Sequence, residues 1–276
     1  MMTRLIAPLI ALLLSACGQG LAPEAERPDR PLRVVSLDYC ADQYVLKLLD
    51  REHILALSPD AAREFSYMRD AAEGLPTVRP TAEDVLILKP DLVVRTYGGG
   101  PNASAFFRKA GVPVVDVGWT PDIPSVMANT QRIADELGES ERGAAVNAQI
   151  QQRLADLRQR TDGQVALYMT PAGVTTGPGS LIHEMIEAAG LTNMQTEPGW
   201  RSIPLERLAY EKPDLVAAAF FGSRTNHPDA WSPMKHPVAR TQLTKSEVVS
   251  LEGAWTSCSG WFLMDAVEAM AEGTER

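Results

Sequence analysis

Residues 140–160, SERGAAVNAQIQQRLADLRQR, have the pattern of one long helix. Ser140 is a suitable N-cap, and Thr161-Asp162-Gly163 is a suitable stop signal. At about 1.5 Å per residue the stretch would span roughly 31 Å, which is long enough to bridge two domains. An ordinary surface helix within one domain is the alternative. Apolar side chains recur at helical spacing at Val146, Ile150, Leu154 and Leu157.

Two similar segments flank this helix and favour the bridging interpretation. Residues 82–94 read AEDVLILKPDLVV, and residues 205–217 read LERLAYEKPDLVA. In each segment a glutamate opens a short helix, Lys-Pro-Asp ends the helix and turns the chain, and a Leu-Val run enters a buried strand. Chance similarity of two helix–turn–strand units is the alternative. Two copies on opposite sides of a long helix indicate two similar lobes joined by that helix.

Strands and helices alternate on both sides of the helix, which predicts an α/β fold. We expect two Rossmann-like lobes with mainly parallel sheets, at 32–138 and 161–276, joined by a single long helix at 139–160. The loops at the carboxyl ends of the strands should face a cleft between the lobes. The expected strands are 32–37, 54–57, 92–95, 112–117, 164–169, 215–219 and 248–251. The other expected helices are 42–49, 81–88, 103–110, 123–137, 181–189, 205–211 and 260–270.

The composition narrows the class of protein. A chain of 276 residues with 45% hydrophobic content is large enough for two modest cores. Its net charge of −9 argues against nucleic acid as a partner, because phosphate binding favours a basic surface. Three cysteines are too few for a small disulfide-stapled fold.

The N-terminus has the pattern of an export signal. Arg4 precedes an apolar run of ten residues, 5–14, which is too short to span a bilayer as a helix. Residues 14–17, LSAC, resemble the lipobox of bacterial lipoproteins, which implies a signal peptide at 1–16 and a lipid on Cys17. A plain secretory peptide is the alternative. Residues 17–31, rich in Pro, Ala and Gly, would then be a flexible tether between the lipid and the first lobe.

Aromatic residues and arginines such as Arg79 and Arg201 fall on or near the expected cleft loops. Flat aromatic faces and cationic side chains suit a large ligand that is partly planar or anionic. Each aromatic residue alone is more typical of core packing, but as a set on loops they indicate the cleft. The predicted ligand-binding residues are Tyr39, Arg79, Tyr97, Trp119, Trp200, Phe221 and Trp255.

Motifs for catalysis and for metal binding are weak in this sequence. The four histidines lack metal-ligand spacing, and no G-x-S-x-G motif occurs. We therefore predict no catalytic residue, no metal site and no cofactor. A surface-anchored enzyme with a cleft cysteine as nucleophile is the alternative, and it would need a nearby base to form the thiolate.

Six segments together resemble one family. The chain is similar to periplasmic binding proteins of the metal-chelate class, which serve ABC importers of Fe(III)-siderophores, haem and cobalamin. The resemblance covers about residues 32–271. The segments are VVSL at 34–37, the repeat at 82–94, GVPVV at 111–115, the helix at 140–160, GPGSLIHEMIEAAGL at 177–191 and WRSIPLERL at 200–208.

The resemblance implies a function and two docking residues. A protein of this class captures an iron-siderophore or a cobalamin-type chelate between its lobes, in the periplasm, and delivers it to a membrane permease. A glutamate on each lobe pairs with permease arginines, and the matching positions are Glu83 and Glu206.

The identity of the chelate stays open at the level of sequence. Trp200 lies six residues before Glu206, as an aromatic residue does in cobalamin binders, and Trp255 lies near a second such position. Arg79 with Tyr97 would suit an anionic siderophore, and Tyr39 or Tyr97 would suit haem iron.

Cys40 and Cys258 remain if Cys17 carries lipid. They follow the first and last expected strands, so both belong to expected cleft loops on opposite lobes. An exported compartment permits a disulfide between them, and a bridge would leave no odd thiol. Two separate buried thiols are the alternative.

Overall fold

The computed structural model describes residues 32–157, 163–219 and 236–273. These residues form two four-stranded sheets and one two-stranded sheet. Every strand pair in the two larger sheets is parallel, as expected from the alternation of strands and helices. No helix within these ranges is both long and apolar enough to cross a membrane.

The first sheet has the strand order β2-β1-β3-β4. Its strands are β1 (Val34–Ser36), β2 (Ile54–Ala56), β3 (Leu92–Arg95) and β4 (Val114–Asp116). The helices of this part of the chain are α1 (Tyr39–Leu48), α2 (Ala82–Ile87), α3 (Ala103–Lys109) and α4 (Ile123–Leu137).

The second sheet has the order β10-β9-β5-β7, and β6 pairs with β8 in a small antiparallel sheet. Its strands are β5 (Val165–Met169), β7 (Thr192–Asn193), β9 (Leu215–Ala218) and β10 (Glu247–Ser250), and the small sheet holds β6 (Val174–Thr176) and β8 (Trp200–Ser202). The helices are α5 (Ser140–Asp156), α6 (Leu181–Ala188), α7 (Leu205–Leu208), α8 (Pro237–Lys245), α9 (Gly253–Thr256) and α10 (Leu263–Gly273).

Helix α5 is shorter than the sequence indicated. Its N-cap is Glu139, so Ser140 is the first helical residue and not the cap. The helix ends at Asp156, because Leu157 takes an extended conformation and packs against the core. The expected end at Arg160 is therefore wrong, and residues 158–160 lie outside the described ranges. At about 1.5 Å per residue, α5 is roughly 26 Å long.

Helix α5 packs along α4 as the second arm of a helical hairpin. A Cβ atom at Gly143 would lie 2.5 Å from Cβ of Ala134, so the glycine permits the close approach of the two helices. Val146 and Ile150 are buried in the core, as their spacing predicted. At the other end, Arg153 donates hydrogen bonds to Asp265 and Glu268 of α10 at 2.6 Å each.

The two repeated segments are equivalent in detail. The carboxylate of Asp91 accepts a hydrogen bond from the backbone N–H of Arg33 at 2.9 Å, just before β1. Asp214 accepts one from the N–H of Val165 at 2.8 Å, at the start of β5. The aspartate of each Lys-Pro-Asp motif thus ties its turn to the first strand of its own sheet.

One continuous hydrophobic core lies between the two large sheets. It contains Val34 and Val94 of the first sheet, Ile150 of α5, and Tyr168 and Leu215 of the second sheet. A smaller cluster covers the opposite face of each large sheet. On the first sheet it lies beneath α2 and α3, and on the second sheet beneath α7 and α8. Each large sheet therefore packs one face against the common core and its other face against a smaller cluster of its own.

The last part of the chain packs directly on the first part. The hydroxyl of Tyr44 in α1 donates to the carbonyl of Ser259 at 3.1 Å, and its ring meets Trp261 edge-on with centroids 5.6 Å apart. The hydroxyl of Tyr67 donates to Asp265 of α10 at 2.7 Å. Residues 257–265 therefore lie against α1 and the loop that follows β2.

Several element boundaries differ from the expectations. Helix α7 ends at Leu208 and not at Glu211, and α10 runs from Leu263 to Gly273 instead of 260–270. The sequence missed β6, β7, β8, α8 and α9. Four of these five elements have four residues or fewer, so they contain too little periodicity to be recognised.

Candidate ligand cleft

The carboxyl edge of the first sheet is organised by the buried side chain of Asp38. One carboxylate oxygen, Oδ2, accepts hydrogen bonds from three consecutive backbone N–H groups, those of Thr96 (2.7 Å), Tyr97 (3.0 Å) and Gly98 (2.8 Å). The other, Oδ1, accepts from the N–H of Ala41 at 3.0 Å and caps α1. Asp38 thus fixes the loop after β3 and the first turn of α1 relative to each other.

This arrangement places two of the predicted ligand-binding residues side by side. Tyr39 begins α1, and its ring centroid lies 6.2 Å from that of Tyr97. Phe65, which the sequence analysis did not single out, meets Tyr39 edge-on at 4.7 Å. Tyr97 is 53% exposed, so an aromatic face at this edge is open to a ligand.

Both phenols stay protonated at neutral pH. Burial raises the pKa of Tyr39, and the neighbouring carboxylate of Asp38 raises it further. Burial also raises the pKa of Tyr97, with further contributions from Tyr39 and from Asp38. The pair therefore offers neutral aromatic surfaces and hydroxyl groups, and the carboxylate beside it disfavours a phenolate.

The other predicted ligand-binding residues lie in different settings. Trp200 is 56% exposed and meets Tyr168 edge-on at 6.2 Å, whereas Trp119 is 79% exposed. Trp255 is half-buried against the common core. Phe221 lies outside the described residues. In the described part of the chain, no ring contact joins Trp119 or Trp200 to the pair of tyrosines.

Arg79 already has a partner. Its guanidinium binds Asp84 in α2 through two contacts, at 2.8 Å from Nε and 3.1 Å from Nη2. Hydrogen bonds from Thr81 and Arg79 lower the pKa of Asp84. Because the arginine charge is offset by this carboxylate, Arg79 is less suited to bind an anionic chelate than the sequence indicated.

Three of the expected cleft loops are regular structure instead. Tyr39 and Cys40 form the first turn of α1, which begins three residues before the expected Asp42. Trp200 lies in β8, where it pairs with Thr176 of β6. Trp255 lies in α9. The N-cap at Asp38 and the long-range pairing of β8 explain these differences.

Comparisons with known proteins agree with this architecture. The family model described as periplasmic binding protein matches residues 34–229, which is more than half of the chain. The chain belongs to the periplasmic binding protein family. This confirms the resemblance that the six sequence segments indicated. A search of curated proteins found no match.

Solved structures show the same fold at low identity. The haem-binding protein HutB of Vibrio cholerae aligns with a TM-score of 0.70 and 16% identity, covering 88% of this chain and 98% of its own. The haem-binding protein RhuT from Roseiflexus sp. RS-1 gives 0.66 and 21%, covering 89% and 100%. The vitamin B12-binding protein BtuF of Vibrio cholerae gives 0.61 and 21%, covering 88% and 96%. The two-lobed α/β fold is thereby confirmed.

In this periplasmic binding protein, a disulfide joins the first turn of α1 to the segment after α9 at the candidate cleft. The Sγ atoms of Cys40 and Cys258 lie 2.01 Å apart and their Cα atoms 5.5 Å apart. The residue before Cys258, Ser257, accepts a hydrogen bond from the hydroxyl of Tyr39 at 3.5 Å through its carbonyl and donates one to the carbonyl of Phe65 at 2.9 Å through its hydroxyl. A bonded sulfur is not a thiol, so the structure gives no support to Cys40 as a nucleophile.

A cavity of about 570 Å³ lies elsewhere in this binding protein. It opens between α4, α5 and α6, and none of the predicted ligand-binding residues lines it. Its walls include Ile123, Met127 and Leu154, together with Glu184 and Glu187. We therefore place the candidate cleft at the carboxyl edge of the first sheet, where Tyr39, Phe65 and Tyr97 lie together, and not in this cavity.

His183 and the two glutamates at this cavity bring three ligand atoms within 4.8 Å of one another. Asn193 accepts the N–H of Gln195 through Oδ1, so its amide nitrogen donates to Nδ1 of His183 at 3.2 Å. The ring proton of the neutral imidazole therefore sits on Nε2, where it faces Glu187 at 3.2 Å. Both ring nitrogens are occupied by hydrogen bonds, so the cluster is poorly suited to a metal ion.

The carboxylate of Asp38 provides a test of this site. Asp38→Asn would turn an amide N–H₂ towards backbone donors, and we expect the free energy of unfolding to fall by roughly 3 kcal/mol. We also expect weaker ligand binding, because Tyr97 loses its support. Urea denaturation measures the first effect. The matched control is Asp122→Asn at the N-cap of α4, which should cost less than about 1 kcal/mol because asparagine caps as well as aspartate.

A second buried carboxyl makes stability depend on pH. Burial raises the pKa of Asp42 to about 6, partly offset by hydrogen bonds from Ser58. The folded state then holds a proton that the unfolded state has lost above about pH 4, so this group's contribution to stability falls as pH rises from 4 to 6. Relative to Asp42→Asn, wild-type stability should drop by about 2–3 kcal/mol between pH 4 and pH 7. A constant difference measured by urea denaturation would contradict this.

Proposed function

We propose that this periplasmic binding protein captures a metal chelate between its two lobes and delivers it to the permease of an ABC importer. The observation that carries the proposal is the group of Tyr39, Phe65 and Tyr97 at the carboxyl edge of the first sheet. The disulfide and Ser257 bring the second half of the chain to the same place. A partly exposed aromatic cluster at strand ends suits a large and partly planar ligand.

The electrostatics of this edge favour a cobalamin-type chelate over an iron-siderophore. After burial, which is the largest cause, the carboxylates of Asp38 and Asp60 raise the pKa of both tyrosines, so negatively charged groups lie near the pair. Arg79 is paired with Asp84 and adds little positive charge. An anionic siderophore would be repelled here, whereas a ligand bound through aromatic faces would not.

Haem fits this edge less well than a corrinoid does. A tyrosine that binds ferric iron must lose its proton, and the surroundings of Tyr39 and Tyr97 oppose that loss. The described neighbours include both haem-binding and vitamin B12-binding proteins, so the fold accommodates either ligand.

Ligand titration tests the proposal. The purified protein would be titrated with cyanocobalamin, haemin and a ferric siderophore, with tryptophan fluorescence as the readout. We expect cyanocobalamin to bind with a Kd near 1 µM or below, and the ferric siderophore at least roughly tenfold more weakly. Tighter binding of the siderophore would overturn the choice of chelate, and no binding of any of the three would overturn the proposed function.

We further propose that Glu83 and Glu206 dock the binding protein to its permease. Both lie in first turns, of α2 and α7, and both are exposed. Among the described residues neither carboxylate takes part in an ion pair. A carboxylate at a helix N-terminus also interacts favourably with the helix dipole, but that role would not require the same position in both repeats.

Family membership places the protein outside the cytoplasm, and we propose that a lipid on Cys17 anchors it to a membrane there. The supporting pattern is the LSAC segment at 14–17 after an apolar run. Changing Cys17 to Ser should move the protein from the membrane fraction to the soluble fraction or block removal of residues 1–16. Fractionation and labelling with a radioactive fatty acid measure this. Unchanged lipid labelling would contradict the proposal.

A further inference from the structure

Each repeated segment exposes a large apolar side chain one helical turn after its glutamate. Ile87 is 76% exposed and Tyr210 is 93% exposed, four residues after Glu83 and Glu206 respectively. The two positions are equivalent in the repeats, as both lie two residues before the Lys-Pro pair. Ile87 is the last residue of α2, where residues four apart share a face. Tyr210 lies in the turn directly after α7, where its N–H donates to the carbonyl of Arg207 at 3.0 Å. Each glutamate is therefore followed, four residues on, by an exposed apolar side chain.

This exposure is not a general property of the two segments. Val85 and Leu208, the equivalent residues two positions earlier, are 0% and 1% exposed and fill the clusters beneath α2 and α7. Among the other large apolar side chains exposed in the described ranges, only Trp119 is comparable, and the remainder are 56% exposed or less. Each segment therefore buries one apolar side chain and presents another to the solvent.

We propose that Ile87 and Tyr210 are apolar anchors of the permease-docking surface, which we define as Glu83, Ile87, Glu206 and Tyr210. This inference rests on the proposed function. The permease would present, at each lobe, a cationic side chain for the glutamate and an apolar recess beside it. Large apolar and aromatic side chains that become buried supply much of the energy of an interface, whereas charges at its rim mainly set orientation.

A membrane surface fits these residues less well than a permease does. One isoleucine and one tyrosine on separate segments do not form the continuous apolar face that an interfacial helix requires. The net charge of −9 and the two unpaired glutamates would also be repelled by anionic lipids. Continuity with Glu83 and Glu206 therefore favours the permease as the occupant.

The two kinds of residue should differ in their kinetic effects. Loss of a rim charge chiefly lowers the association rate and the salt dependence of binding. Loss of a buried apolar anchor chiefly raises the dissociation rate. This difference separates an anchoring role from a general disturbance of the surface.

Photo-crosslinking identifies the partner first. The photoreactive amino acid p-benzoylphenylalanine would replace Ile87, Tyr210 or, as a control, Phe106, which is 48% exposed on α3 outside the docking surface. Irradiation would use intact cells of the source organism, and adducts would be identified by mass spectrometry. We expect adducts with an ABC permease from positions 87 and 210 and none from position 106. Adducts with lipid alone would overturn the choice of partner.

Binding kinetics on that permease in nanodiscs then test the role of each anchor. We expect Ile87→Ser and Tyr210→Ser each to raise the dissociation rate roughly tenfold, with little change in association rate or salt dependence. Phe106→Ser should behave as wild type. If the glutamate variants weaken docking but the two serine variants do not, the anchoring inference fails and the proposed function stands. If wild type docks on no ABC permease, the proposed function itself fails.

Discussion

Replacing Cys40 and Cys258 together by serine should lower the free energy of unfolding by roughly 3–5 kcal/mol. The two cysteines are 218 residues apart in sequence, so the bond removes a large loop-closure entropy from the unfolded chain. For a loop of this length the chain-entropy estimate is about 5 kcal/mol, and measured values are usually smaller. Urea denaturation of the wild type and the double variant measures the difference.

Three controls accompany this experiment. Each single serine variant should lose as much stability as the double variant, because either change removes the bond. Wild type treated with a reductant should behave in the same way. Titration of thiols in denatured, unreduced protein should find none at these two positions. A loss below about 1 kcal/mol in the double variant would show that the bond contributes little to the free energy of unfolding.

Changing Glu83 and Glu206 together to alanine should reduce transport roughly a hundredfold while ligand affinity stays unchanged. Hydrogen bonds between charged groups contribute about 1.5–3 kcal/mol each, so the loss of two at the permease weakens docking by about that factor or more. Both side chains are exposed, and among the described residues no hydrogen bond or ion pair joins them to Tyr39 or Tyr97, so ligand affinity should not change. Uptake of radiolabelled ligand into proteoliposomes and a separate binding titration measure the two properties.

The matched control removes the same number of carboxylates at positions outside the repeats. Glu141 and Glu184 also lie in first turns, of α5 and α6, so their replacement by alanine removes two helix N-terminal carboxylates without touching the repeats. Transport by this control should equal that of wild type. Weaker ligand binding by the Glu83 and Glu206 variant would assign those glutamates to the cleft instead.

Local patterns predicted much of the fold. Strand β3 and helix α4 begin and end where the sequence indicated, because Lys-Pro-Asp precedes β3 and because α4 has an aspartate N-cap and a glycine C-cap. The repeat was visible because proline and aspartate act on the chain in the same way in both copies. Helix α5 was recognised from its apolar spacing, but its end was not. Leu157 fits the apolar spacing of the helix, yet its backbone is extended and its side chain packs against the common core.

The candidate site could be predicted only in part. Tyr39 and Tyr97 were chosen because both follow strands, and the structure brings them together. Asp38 was missed as an N-cap although it stands directly before the helix, because the apolar spacing of α1 was counted from Asp42. Its three bonds to residues 96–98, and the contact of Ser257 with Phe65 across 192 residues, depend on topology that no local pattern contains.

The packing of residues 257–265 on α1 bears on how this chain is made and exported. Tyr44 finds its hydrogen-bond partner 215 residues later, so the first half cannot complete its core while the ribosome is still adding the second. Contacts of such high sequence separation form late and slow the folding reaction. We therefore expect the nascent chain to lack its complete native core until synthesis is nearly finished, which would suit export through a pore that accepts only unfolded polypeptide.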